Sequence, residues 1–316
     1  MSLEDVIAQV LDLPEVAAWP EMASLFEQSV VRLNVKWELP LLACRAVGGK
    51  ESAAIDGAAA VACMQLGLVL IDDMLDRDPR GAHIEFGYAV TANLAWAFQA
   101  AAFRLVGKAP VDAARLVAAN AELAQMALTS AFGQSLDAQN LSGEENYWQV
   151  VRAKSSPFFG ASLRIGALLG QASLDIAERM HEFGVIFGEI VQIYDDLLDS
   201  LQSPAGPDWK EGRNNLAILY ALTADHPERA QLDALRTRID SPQTLEAAQQ
   251  ILIHCGAISY CVYHIIKRYQ AAEQLLASIP LADPQPLREL IVRQGKPLVT
   301  LLESIGVEIP PELGVV

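Results

Sequence analysis

The chain has 316 residues, 52% hydrophobic and 7% aromatic, and a formal net charge of −16 from 23 Lys and Arg against 39 Asp and Glu. That apolar content excludes a disordered chain. The acidic balance excludes nucleic acid as the main partner, because phosphate neutralisation needs clustered Lys and Arg, but it leaves room for a small anion recruited through metal.

Nearly every segment has a 3.6-residue apolar period and none alternates as a strand does, so one all-α domain spanning 1–316 is expected. Pro14 to Leu33 reads as one amphipathic helix, and Glu38 to Val47 as a short one ended by Gly48-Gly49. Ser52 is a cap for a helix that runs into Asp76, which the turn Asp78-Pro79-Arg80-Gly81 breaks. Glu85–Val106 follows, then Pro110–Asp137 with Pro110 suited to a first turn. Glu144–Leu169 carries Pro157 mid-way, which predicts a kink or interruption. Leu174–Asp199 leads into a polar loop, Ser200 to Arg213. Further helices are expected at Asn215–Thr223, His226–Ile239, Pro242–Cys255, Ala257–Ile279 and Pro284–Ile305, with a loose tail around Pro310 to Gly314.

Cys44, Cys63, Cys255 and Cys261 form no CxxC pair, which suits reduced core thiols and a cytoplasmic protein. Met1 to Asp5 shows no apolar leader, so no signal peptide is expected. The uncharged run Gly57 to Ile71 is shorter than the roughly 18–20 residues of a membrane span, so no transmembrane segment is expected.

The chemistry gathers at two helix ends. From Gln65 to Ile71 only Gln65 is polar, and then come Asp72, Asp73 and Asp76. At about 100° per residue, Asp72 and Asp76 share one face, with Asp73 to the side. The second apolar run, Gly188 to Tyr194, ends in Asp195, Asp196 and Asp199 with the same spacing. Carboxylates alone offer hard oxygen ligands, which select a cation such as Mg²⁺, and no His/Cys set has zinc spacing. Such ions can neutralise a diphosphate leaving group.

With these motifs the chain resembles the trans-isoprenyl diphosphate synthases, the polyprenyl synthetase family, along almost its whole length. Gly133-Gln134-Ser135-Leu136-Asp137 is similar to the family's GQxxD, Lys154-Ser155 to its Lys-Thr pair, Gln192 to its glutamine before the second motif, and Asp208 to Arg213 to its D-L-x-x-G-K segment. The resemblance implies an isoprenoid synthase fold, a bundle of long antiparallel helices around a deep central cavity, usually as a homodimer. It implies three Mg²⁺ ions bridging the aspartates to an allylic prenyl diphosphate, whose cation is attacked by isopentenyl diphosphate. By position, Asp72, Asp76 and Asp195 become direct metal ligands, and Asp73, Asp196 and Asp199 partial or water-mediated ones. Lys154 and Arg213 bind the allylic diphosphate, while Ser155 and Gln192 face the developing cation. Lys36, Gln65 and Arg80 fall to isopentenyl diphosphate. Gly67, where bulkier residues shorten products, and Leu68 become the chain-length wall, with a glycine that allows close helix packing the equal alternative at Gly67.

Departures from the pattern concentrate on the acceptor side. Leu39 stands where the family has arginine, Glu38 adds an opposing charge, and Pro79 replaces one of two arginines. Arg32, Arg45 and Arg77 are the nearby cations that could compensate, and Trp37 and Leu39 could equally be core residues. Three functions therefore remain open: elongation, a terpene-synthase-like ionisation with cyclisation or hydrolysis, or a non-catalytic subunit of a heteromeric synthase.

Overall fold

The computed structural model describes residues 1–32, 36–304 and 306. Among these residues there is no strand. The helices are α1 Leu3–Leu11, α2 Pro14–Ala17, α3 Pro20–Arg32, α4 Leu39–Ala46, α5 Ile55–Leu75, α6 His83–Val106, α7 Ala113–Asp137, α8 Glu144–Val150, α9 Ser156–Leu169, α10 Leu174–Leu201, α11 Pro207–Lys210, α12 Leu216–Thr223, α13 Arg229–Arg236, α14 Pro242–His254, α15 Ala257–Ser278 and α16 Gln285–Ser304. The all-α expectation agrees with this. The expectations for Leu33, Asn34, Val35, Ile305 and the tail from Pro310 lie outside the described residues.

Where the observed helices differ from the expected ones, local backbone chemistry accounts for it. Ser2 and Asp5 form a reciprocal capping box that starts α1, a helix the periodicity did not single out. The expected Pro14–Leu33 helix is two, because Pro20 has no N–H to continue a ladder and opens α3 instead. Ser52 does not cap α5; it sits in a 3-10 turn, Glu51–Ala53, and the cap position is Ala54. Pro110 precedes α7, whose first turn takes a hydrogen bond from Arg115 N to Asp112 Oδ1 at 3.1 Å. Pro157 lies at the second position of α9, and the turn before it, Val151–Ser155, is π-helical. A proline ring crowds the carbonyl four residues back, and a wider turn relieves that crowding. Inside α6, Gly87 has φ 76, ψ 157, so the helix is broken there. The polar loop after α10 contains α11.

The chain divides into two compact units. The first comprises Met1–Ser130, Pro157–Val185 and Leu276–Leu287. Its centre is α5, which packs against α1, α3, α4 and α6. By length and composition α5 is apolar enough to cross a bilayer, yet every residue from Ile55 to Met64 is buried within the unit. A second anchor is Glu122, buried, which accepts from Arg164 Nη1 at 2.7 Å and lies 2.8 Å from His181 Nδ1. Burial raises its pKa, but those two partners bring the net value below the ordinary glutamate range.

The second unit comprises Ala131–Ser156, Ile186–Leu275 and Arg288–Val316. Its core draws on the second half of α10 together with α8, α12, α14 and α15, with Tyr147 and Trp209 among its largest buried side chains. Trp209 Nε1 donates to Ser200 O at 2.9 Å, which ties the loop after α10 back onto that helix.

Candidate active site

In the first unit, α5 ends at the first acid cluster. Asp76 is its C-cap, and the Asp76 N–H donates to Asp72 O at 2.9 Å. Asp72, Asp73 and Asp76 are each half-buried, and the last turn contains no basic residue. The C-terminal end of a helix carries partial negative charge, so carboxylates there are favoured by any positive charge placed against them.

The acceptor-side residues are largely engaged with their own chain. Gln65, two turns ahead of Asp72 on the same face, accepts the Lys36 backbone N–H on Oε1 at 2.7 Å. Its oxygen therefore fixes the Lys36 segment rather than pointing to a ligand. Arg80 binds Asp78 through Nε at 3.0 Å and Nη2 at 2.7 Å. Arg45 pairs with Glu51, and the Arg32 side chain lies outside the described residues. Leu39 is 0% exposed, so it is a core residue of α4. Gly67 takes the packing reading of its two. A Cβ there would stand 3.1 Å from Ala95 O and 3.2 Å from Gln99 Cγ, so Gly67 serves close packing of α5 on α6. It lies on a different face from Asp72, whereas Leu68, half-buried, shares the acid face.

In the second unit the arrangement begins at Gly133. A Cβ on Gly133 would fall 2.3 Å from both Ala153 C and Lys154 N, so only glycine lets α7 lie against the π-helical turn. One turn further along, Asp137 Oδ2 meets Lys154 Nζ at 2.6 Å. Ser155 Oγ donates to Gln192 Oε1 at 2.7 Å, and Gln192 Nε2 donates to Asp196 Oδ1 at 3.0 Å. A cavity of about 70 Å³ is lined by Asp137, Tyr147, Lys154, Ser155, Gln192 and Asn214.

The second acid cluster splits by face. Asp195 is exposed and Asp199 half-buried, one turn apart, again with no base in the last turn of α10. Asp196 departs from the expected metal role. It is 3% exposed, and its Oδ2 accepts the Leu216 N–H at 2.8 Å, so both of its oxygens are committed inside the unit. Burial pushes its carboxyl up to about 8, against the hydrogen bonds that favour the charge. Arg213 lies against Glu211, at 2.9 Å from Nε and 2.8 Å from Nη2.

Sequence reasoning missed three asparagines here. Asn215 caps α12 and also donates to Asp196 O at 2.7 Å and Asp208 Oδ2 at 2.8 Å. Asn214 donates to Leu141 O and Asn140 to Gly212 O. The only available signal was the Asn-Asn pair just before an apolar run, the pattern of an N-cap.

A polyprenyl synthetase family model matches residues 37–252. The chain belongs to the polyprenyl synthetase family. Among the relatives of this family member is a geranylgeranyl diphosphate synthase of Methanosarcina mazei, 29% identical over 70% of this chain and 71% of that protein. Two solved structures share the fold. A geranylgeranyl pyrophosphate synthetase from Geoglobus acetivorans has TM-score 0.77 at 22% identity over 92% of this chain and 93% of that one. A polyprenyl synthase from Caulobacter crescentus, complexed with calcium and isoprenyl diphosphate, has TM-score 0.74 at 22% identity over 91% of each. The isoprenoid synthase fold thus stands for this synthetase-family chain.

Among the described residues, no three His, Cys, Asp or Glu side chains converge into a ready-made metal cage. The carboxylates of the two clusters are hard oxygen donors of the kind Mg²⁺ takes, an ion usually held by one or two carboxylates with substrate phosphate and water completing its shell. Gly133→Ala tests the second unit's geometry. The methyl should destabilise the protein by about 1–3 kcal/mol and displace Lys154. The KM for an allylic diphosphate should rise roughly tenfold, the equivalent of one charge-assisted hydrogen bond. Steady-state kinetics and urea unfolding check it; wild-type values in both would contradict the packing argument.

Proposed function

We propose that the protein is a Mg²⁺-dependent prenyltransferase that condenses an allylic prenyl diphosphate with isopentenyl diphosphate. One observation carries this reading: in a chain whose residues 37–252 match a polyprenyl synthetase model, two clusters of aspartates one turn apart close long apolar helices. Asp72, Asp76, Asp195 and Asp199 hold the metal, with Asp73 nearby. When bound, the ions neutralise the diphosphate, as many as three per site in the family. Lys154 and Arg213 add positive charge to the diphosphate oxygens as the C–O bond breaks and the leaving group takes the electron pair. Ser155 and Gln192 turn polar oxygens toward the allylic cation. The double bond of isopentenyl diphosphate then attacks, and a proton leaves the adjacent carbon. Lys36 and the Gln65 amide nitrogen serve that second substrate, with Leu68 on the product side.

A second reading draws on Leu39. Its burial removes a cation from the acceptor side, and Arg45 and Arg80 are paired with Glu51 and Asp78. An enzyme so depleted ionises a prenyl diphosphate and passes the cation to water or to an internal double bond. Incubation with farnesyl diphosphate and Mg²⁺, with and without isopentenyl diphosphate, separates the two. Longer diphosphates formed only with the second substrate support elongation. A hydrocarbon or alcohol formed without it supports the second reading. No diphosphate released from allylic substrates of ten, fifteen or twenty carbons defeats both.

The chain also carries an uncharged outer face in its first unit. On α6, Tyr88, Ala92, Trp96 and Ala100 are exposed, Trp96 by 73%; on α7, Val117, Ala121, Ala124 and Leu128 are exposed at helical spacing. Exposed apolar stripes of this kind mark association surfaces, and a second copy of the chain is the partner proposed. Trp96→Glu should convert a dimer to a monomer by analytical ultracentrifugation. A wild-type monomer, or an unchanged dimer in the variant, would reject this face.

A further inference from the structure

We propose that Asn140 and Asn214 form a clasp that positions Arg213 for the substrate diphosphate. The proposal rests on the reading of Arg213 as a diphosphate ligand. Asn140 Nδ2 donates to Gly212 O at 3.1 Å, and Asn214 Nδ2 donates to Leu141 O at 2.7 Å. The two bonds run in opposite directions between the same two segments, and they fall on the residues immediately before and after Arg213. Both partners of the first bond are left-handed, Asn140 at φ 46 and Gly212 at φ 69, a conformation that Asn and Gly adopt at least cost. The bonds join the turn that follows α7 to the segment that precedes α12.

What the clasp fixes is the backbone on either side of Arg213. The next residue, Asn215, is held by Asp196 O and Asp208 as the cap of α12, so the segment is anchored from 212 through 215. The guanidinium rests on Glu211, a local carboxylate two residues back. Binding a diphosphate then calls for a change of side-chain partner at Arg213, from carboxylate to phosphate oxygens, without refolding the loop. Asn214 also lines the small cavity beside Lys154, the other cation assigned to the same diphosphate. The clasp therefore keeps the two cations in register, a preorganisation that appears in substrate affinity.

Asn140→Gly keeps the left-handed backbone and removes the amide; Asn214→Ala removes the other. Titration of inorganic diphosphate in Mg²⁺ by calorimetry gives Kd, and farnesyl diphosphate kinetics give the split between KM and kcat. Each variant should raise Kd and KM roughly two- to tenfold, the scale of one neutral hydrogen bond, with kcat within about twofold and the thermal midpoint near wild type. In an Arg213→Ala background the same substitutions should have no further effect, because the clasp acts through Arg213. Wild-type Kd and KM in both single variants, or an effect that persists in full without Arg213, would overturn the clasp while leaving Arg213 a diphosphate ligand. An Arg213→Ala protein that binds diphosphate as wild type does would refute the role of Arg213, and the clasp with it. Should one single variant unfold, the other decides alone, since the two bonds arise from different helix ends.

Discussion

A carboxylate at the C-terminus of a helix meets the negative end of the backbone dipole, and this chain builds such clusters twice. α5 and α10 each bring apolar length and then aspartates one turn apart, and neither last turn contains a basic residue. Such a cluster gains from positive charge placed against it, and a hard divalent ion would suit an all-oxygen donor set. Much of the rest follows from that constraint. The buried flank of α5 gives the first cluster a rigid base, and the tied-back loop after α10 does the same for the second.

Within the second unit, polar groups are sorted by face. Asp195 and Asp199 turn outward, whereas Asp196 turns in and joins Gln192, Ser155 and the start of α12 through hydrogen bonds. A buried carboxylate without partners would be unfavourable by several kcal/mol; here it becomes the junction that holds Gln192 in one orientation. Gly133 does comparable work for Lys154, because its missing side chain sets the distance between α7 and the π-helical turn.

The fold class, most helix spans and both acid clusters were legible in the sequence, because apolar period and i, i+4 spacing are local properties. Other features depend on what a residue faces. Gly67 reads equally as a cavity wall or a packing glycine until its direction toward α6 is known, and Leu39 reads as a lost arginine or a core leucine with equal ease until its burial is seen. Asp196 has the same spacing as its neighbours, and only its hydrogen bonds separate it from them. The pairings Asp137–Lys154, Asn140–Gly212 and Asn214–Leu141 join segments distant in sequence, and no local pattern announces them.

Leu39 and Pro79 stand at positions where the resemblance leads one to expect arginine, and Leu39 is wholly buried, so the acceptor side is where the two readings of the function divide. The central claim, that the two helix-end clusters hold the metal that drives ionisation, is tested most directly by Mg²⁺ titration of diphosphate release from farnesyl diphosphate in the wild type, Asp72→Asn and Asp195→Asn. Release that requires Mg²⁺ in the wild type and falls by orders of magnitude in both variants is the predicted result. Release independent of Mg²⁺, or unchanged in either variant, would contradict it.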